Sequence, residues 1–144
     1  MENIIEHIVY IAQDIYKSLG PGYNEVIYHR AFEVALRLKG INYESEVITP
    51  VMYNNHVIGH GRVDIKINNS IILEFKAISH VNNDAVIQIK NYMKYYLITQ
   101  GLVINFGQCT KNNSGSLDII YINDETIFHF IDGMFQLQEK TLTL

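Results

Sequence analysis

The sequence predicts an α/β fold built on a mixed sheet, and three observations predict it. Apolar residues recur at helical spacing through the first forty positions. The chain then turns strand-like from 43 to 78, broken twice by Asn-Asn. A helical pattern over 82–100 follows, and further short apolar runs come after it.

The first helix spans 4–19, where Ile4, Ile5, Ile8, Ile11, Ala12, Ile15, Tyr16 and Leu19 form one stripe, and Gly20-Pro21-Gly22 ends it. A second helix fits 24–39, with Gly40 as its C-terminal stop. At 100° per residue Glu25, Tyr28, Phe32 and Leu36 share a narrow arc, so a carboxylate heads a stripe that faces the core. With Gly22 as the N-cap, Glu25 becomes an N3 residue that favours the helix start. That explains the position of the charge but not its inward face.

Three strand-like runs follow: YESEVITPVMY (43–53), HVIGHGRVDIKI (56–67) and SIILEFKAI (70–78). Asn54-Asn55 and Asn68-Asn69 separate them, and Asn tolerates the positive φ of tight hairpins. Pro50 marks the first run as an edge strand or a bent one. The 82–100 helix takes its cap from Asn82 or Asn83 and its core arc from Val86, Ile89, Met93, Tyr96 and Leu97. Tyr92 borders that arc, Gln88 lies just beyond Tyr92, and Lys90 and Lys94 lie past the opposite edge. LVINF (102–106) reads as a buried strand, CTKNNSGS (109–116) as a loop and LDIIYIN (117–123) as a strand. The last twenty residues fit either a strand at Thr126 to Ile131 or a short helix. The predicted order is α-α-β-β-β-α-β-β, in one domain over 1–144.

The 144 residues suffice for one substantial core, and 48% apolar against 18% charged residues excludes a disordered chain. No apolar run approaches the ~20 residues that span a bilayer, and the start MENIIEH lacks the basic region of a secretory signal. The single cysteine, Cys109, excludes an internal disulfide and a cysteine-based zinc site. An intracellular soluble protein is the expectation. A net charge of −4 counts against a broad basic face for nucleic acid, but not against a local groove.

Charged residues that could do chemistry gather in GRVDIKINNSIILEFKAIS, residues 61–79. Glu74 and Lys76 lie two apart on one strand and emerge on the same face, among Ile71, Ile72, Leu73, Phe75 and Ile78. A two-residue turn at Asn68-Asn69 sets Ile67 opposite Ser70 and Asp64 opposite Leu73, one residue short of Glu74. A bulge or a longer turn brings the carboxylates together. At ~4 Å they repel by roughly 4 kcal/mol at an effective dielectric of 20, so a part-buried pair either holds a proton or binds a cation. Oxygen ligands suit Mg²⁺ or Mn²⁺. Lys76 beside them suits orienting a water or steadying a phosphate. The plain alternative is a solvated strand with Lys76 as ion-pair partner. Gln88 suits orienting a catalytic group, and Lys90 and Lys94 suit phosphate contacts, with a solvated helix face as their plain alternative. His56, His60 and His80 fit no zinc spacing. Tyr92, Tyr95 and Tyr96 suit base stacking, or more simply packing.

Taken together these residues resemble a known family. Gly22-Tyr23-Asn24-Glu25-Val26-Ile27-Tyr28 is similar to the G-x-x-E-x-x-Y signature of the small GxxExxY proteins, which resemble the PD-(D/E)XK nucleases and their RecB-like branch. That branch has a helix acid, a strand Asp, an E-x-K strand and a Q-x-x-x-Y helix in this order. Here they are Glu25, Asp64, Glu74-Phe75-Lys76 and Gln88 to Tyr92, followed by a G-L-x-I-N-F run at Gly101 to Phe106. The resemblance covers roughly residues 4 to 107. It implies a restriction-endonuclease-like core with a central mixed sheet flanked by helices. It also implies a divalent metal, Mg²⁺ or Mn²⁺, held by Asp64, Glu74 and the Phe75 carbonyl, with Glu25 as a further ligand. Lys76 becomes the catalytic lysine, and Gln88 and Tyr92 support the substrate or the site. Ser79 stands where the family commonly has an acid, Ala85 where it often has His, and Val63 replaces the Pro of the superfamily name.

The expected function is a metal-dependent nuclease, with DNA favoured over RNA and a homodimer as the form able to cut two strands. A non-catalytic nucleic-acid- or protein-binding module on the same fold is the alternative, favoured by the net charge and by Ser79 and Ala85.

Overall fold

The computed structural model describes residues 3–109, 116–124, 126–131 and 133–138. In chain order these form α1 (Ile4–Leu19), α2 (Glu25–Leu38), β1 (Glu44–Tyr53), β2 (His56–Ile67), β3 (Ile71–Lys76), α3 (Asn83–Tyr96), β4 (Gln100–Asn105), β5 (Asp118–Asn123), β6 (Thr126–Ile131) and β7 (Met134–Leu137). The strands lie side by side in sequence order. β3 and β4 run parallel, as the α3 crossover requires, and the other neighbouring pairs are antiparallel.

Strand alternation divides the core. Ile71, Leu73 and Phe75 of β3 enter a cluster with α1 and α2, whereas Ile72 packs with α3. β3 is therefore covered on both faces, which explains its unbroken apolar run. The result is the expected central mixed sheet flanked by helices. Among the described residues, no helix is long and apolar enough to cross a membrane.

β1 is an edge strand, as Pro50 implies, and its register slips one residue later, between Val51 and Met52. β2 pairs with β3 only through Ile65, Lys66 and Ile67. The rest of β2 pairs with β1 alone and forms a two-stranded arm, on which Met52, Tyr53, Val57 and Ile58 are exposed.

The third helix ends earlier than its pattern suggests. Leu97 adopts the left-handed conformation (φ 55°) as C-cap, and Ile98 N–H donates to the Met93 carbonyl. That turn throws Leu97 outward, 89% exposed, and buries Ile98 instead. Leu97 is thus no core residue, and Tyr92 is one. β4 also starts earlier than LVINF, because Gly101 lets α3 lie directly on it. A Cβ there would sit 2.8 Å from Met93 Sδ and 2.9 Å from Ile89 Cδ1. Of the two readings open for the last twenty residues, the strand at Thr126–Ile131 is the one that forms, and β7 adds another beyond the expected elements, packed through Tyr121, Phe128, Phe130 and Phe135. Of the loop expected at 109–116, residues 110–115 lie outside the described residues.

Candidate active site

The site begins with a turn. Asn68 and Asn69 both have positive φ (50° and 54°), and Ser70 donates from both its N–H and its Oγ to the Ile67 carbonyl, at 2.9 and 3.0 Å. Ser70 is therefore part of the loop, and Ile67 pairs with Ile71. This corrects the register expected from a two-residue turn. The one-residue shift moves Asp64 from opposite Leu73 to opposite Glu74.

At that pair the backbone ladder stops and the carboxylates take over. Phe75 N–H donates to Asp64 Oδ2 at 2.8 Å, and Asp64 N–H donates to Glu74 Oε1 at 3.2 Å. Here β2 parts from β3, which continues alongside β4 to Lys76. The pleat of β2 breaks at the same point. Val63 joins the α3-side core and Ile65 the opposite one, although residues two apart normally share a face. Between the pairs Ser45–Ile65 and Val47–Val63, Glu46 of β1 takes a positive φ of 55°.

This clasp holds two acids where water is scarce. Glu74 is 3% exposed and Asp64 half-buried. Burial pushes the Glu74 carboxyl far above its usual range, and the neighbouring Asp64 adds to the rise. Burial raises Asp64 too, against the pull of the Phe75 N–H, His29 and Lys76. The pair holds a proton more tightly than ordinary carboxyls do, which is the signature of a site that a cation would relieve.

Among the described residues, no group of three or more His, Cys, Asp or Glu side chains is placed to hold an ion unaided. The donor set fits Mg²⁺ or Mn²⁺ nonetheless, because such ions usually take one or two carboxylates and keep several waters. Phe75 buries its ring in the α1–α2 core between the two site residues.

Lys76 starts a chain of polar contacts across the cleft. Its Nζ donates to Gln88 Oε1 at 3.5 Å, Gln88 Nε2 donates to Tyr92 Oη at 3.4 Å, and Tyr92 Oη accepts from Arg62 N–H at 3.1 Å. Tyr92, on the core side of α3, thus pins β2 two residues before Asp64. Gly61 makes room for it, since a Cβ there would lie 2.5 Å from the Tyr92 hydroxyl. Gln88, one turn earlier, reaches the exposed rim beside Lys76. Lys90 and Lys94 are not brought to this cleft, which is lined by Glu25, Lys76, Asn82, Asp84 and Gln88 among others.

Glu25 approaches from the other side as the first residue of α2. The N-cap is Asn24 rather than Gly22, so Glu25 is not an N3 residue. Tyr28, buried and stacked on Phe106 with centroids 4.2 Å apart, donates to the Gly20 carbonyl and accepts from Tyr23 N–H. One tyrosine thereby fixes the Gly20–Tyr23 loop, in which Gly22 has a φ of 117°, and with it the point where Glu25 enters the cleft. Partial burial raises the Glu25 carboxyl, Lys76 opposes the rise and Asp64 adds to it. Asp64 and Lys76 therefore act on both Glu25 and Glu74.

Two residues escaped the sequence reading. His29, a turn after Glu25, is buried against Phe75 with Nε2 2.8 Å from Ser45 Oγ, and it counters the rise of the Asp64 carboxyl. Asn105, 1% exposed, bonds the N–H and carbonyl of Ile78 and the N–H of Gly107. It fixes the chain leaving Lys76, whose own carbonyl accepts from Phe106 N–H. A lone amide in the apolar LVINF was its signal. His29 had none, being one more residue on a helix already assigned to the core. His56, His60 and His80 are exposed.

Over residues 2–116 the sequence matches the family description of the PD-(D/E)XK nuclease superfamily. The chain belongs to that superfamily. Its E-x-K strand and its opposed acid now have the geometry that simple hairpin register denied them. No curated protein matches the sequence. Among solved structures it is similar to the crystal structure of SSO0001, at 22% identity and a TM-score of 0.50, over 68% of this chain and 48% of that one. The likeness concerns the fold, and this chain aligns with about half of that protein's length.

Proposed function

We propose that this protein is a metal-dependent nuclease that hydrolyses phosphodiester bonds, with DNA the favoured substrate. One observation carries the reading: Asp64 and Glu74 face each other across the fork of β2 and β3, with Lys76 at the next same-face position. Asp64, Glu74 and the Phe75 carbonyl would hold Mg²⁺ or Mn²⁺, with Glu25 as a further ligand or as an acceptor for a water's proton. When bound, such an ion supplies an activated water and stabilises charge on the phosphate.

The chain's own residues do the rest. Lys76, between the acid pair and Gln88, places a positive charge where a scissile phosphate would gain negative charge. Gln88 holds the Lys76 Nζ, and Tyr92 holds both Gln88 and the backbone before Asp64, so substrate and acids share one frame. Glu25 accepts a proton only when ionised; its partial burial works against that form and the nearby Lys76 favours it. The Gly22–Tyr28 segment supports placing the chain among the GxxExxY proteins. A nucleic-acid substrate and a single cysteine fit an intracellular setting.

The test is direct. With Mg²⁺ or Mn²⁺ the wild type should cleave DNA, and Lys76→Ala and Glu74→Gln should each lose at least ~100-fold in rate, the scale of losing one transition-state charge contact. Equal cleavage by wild type and an Asp64→Asn, Lys76→Ala double variant would reduce the protein to a binding module on a nuclease fold.

A further inference from the structure

The cleft has two halves that meet at Glu25, and they differ in chemistry. The half bounded by Lys76, Asp84 and Gln88, about 440 Å³, carries the charges. The other, about 360 Å³, opens between the start of α2 and the C-terminal ends of the parallel strands β3 and β4. Apart from Glu25, the described residues around it are uncharged, among them Tyr23, Asn24, Ala77 and Gln108. Phosphate tracking along a duplex needs Lys or Arg, and the described lining of both halves offers Lys76 alone.

The uncharged half does offer what a nucleobase needs. Tyr23 is 49% exposed, yet its ring packs edge-on against buried Tyr28 and its N–H is bonded to the Tyr28 hydroxyl. It is an aromatic face held in place at a cleft. Asn24 occupies the N-cap of α2 without making a side-chain capping bond, so its amide is not spent on the helix. Gln108 accepts from Ser79 Oγ through its carbonyl oxygen, and the residue lines the same half-cleft. An aromatic face with amides at its rim is the chemistry that stacks an unpaired base and reads its edge.

We infer that this half-cleft binds one unpaired nucleobase next to the scissile phosphate, stacked on Tyr23, and that the substrate is therefore single-stranded or frayed nucleic acid. The inference rests on the nuclease reading and adds the form of the substrate. A base held in a duplex is already paired and stacked and cannot also lie on Tyr23, and among the described lining residues Lys76 alone is a cation that could meet a second strand.

The test compares a 12-nucleotide DNA strand, its RNA counterpart and a blunt DNA duplex. Binding is followed by fluorescence anisotropy in Ca²⁺, and cleavage in Mn²⁺. Single strands should bind at least tenfold more tightly than the duplex. Tyr23→Ala should weaken single-strand binding about tenfold, the scale of losing one stacked base, and Tyr23→Phe should restore it. Mn²⁺ binding should be the same in all three proteins, which shows that the acid pair is intact. A duplex that is cut or bound as well as the single strands, or a Tyr23→Ala protein that binds them unchanged, overturns the inference while the nuclease reading stands. If wild type neither binds nor cuts any of the three, the nuclease reading falls and this one with it.

Discussion

Two turns in this chain share the dipeptide Asn-Asn and differ in what they build. Asn54-Asn55 closes a two-residue loop, with Tyr53 paired to His56 and both asparagines at positive φ. Asn68-Asn69 also has positive φ at both positions, but Ser70 folds back onto the Ile67 carbonyl and lengthens the loop to three. The first turn ends an exposed arm. The second sets which residue faces Glu74. A difference of one residue in a loop thus separates a structural hairpin from a candidate catalytic pair, since strand side chains alternate with a period of two.

The contrast can be broken most sharply by changing loop length. Deleting Ser70 should force the two-residue register, take Asp64 out of line with Glu74 and reduce Mn²⁺ affinity at least ~100-fold by calorimetry, since a metal site needs its ligand geometry kept. Inserting one Gly between Asn54 and Asn55, on the arm, should leave that affinity within about twofold, as surface loops tolerate insertion.

A second contrast is electrostatic. In the metal-free fold Glu74 is pushed up to about 9 from its ordinary 4.5 by burial and by Asp64. The folded state then holds protons that the unfolded chain releases, so Glu74 costs stability progressively as pH rises from about 4.5 to about 9. Glu74→Gln keeps an oxygen to accept from Asp64 N–H and removes the charge. Without metal it should match wild type near pH 5 and exceed it by about 1–3 kcal/mol at pH 9, the worth of one to two pKa units. Thermal melts check this. Saturating Mn²⁺ at pH 8 should stabilise wild type and leave Glu74→Gln unmoved.

The third contrast lies along β2. At Gly61 an added Cβ meets the Tyr92 hydroxyl, whereas at Gly59, two residues farther out, it meets nothing within 4 Å. Gly61→Ala should cost about 1–3 kcal/mol as overpacking and lower cleavage by displacing the backbone before Asp64. Gly59→Ala should stay within about 0.5 kcal/mol in denaturant titrations.

These contrasts also show how far the sequence could be read. The helices α1 and α2 and the order of the first eight elements follow from apolar periodicity, which depends on neighbours three or four residues away. Pro50 and the asparagines speak for themselves because their backbone preferences are local. Asp64 opposite Glu74 was not legible, because register depended on whether Ser70 joined the loop or the strand. Leu97 misled for a related reason: a left-handed cap turns an apolar residue outward whatever its place in the periodic pattern. Tyr92 and His29 act through contacts with β2 and β1 that are distant in sequence, so their partners became visible only once the sheet had formed.

The central claim is that Asp64 and Glu74 form one cation site, and calorimetric titration with Mn²⁺ at pH 7 and pH 8 in buffers of different ionisation enthalpy tests it most directly. The account predicts saturable binding to wild type with protons released on binding, and no binding to Glu74→Gln. Wild-type protein that takes up no Mn²⁺, or a Glu74→Gln variant that binds it equally well, would contradict the account.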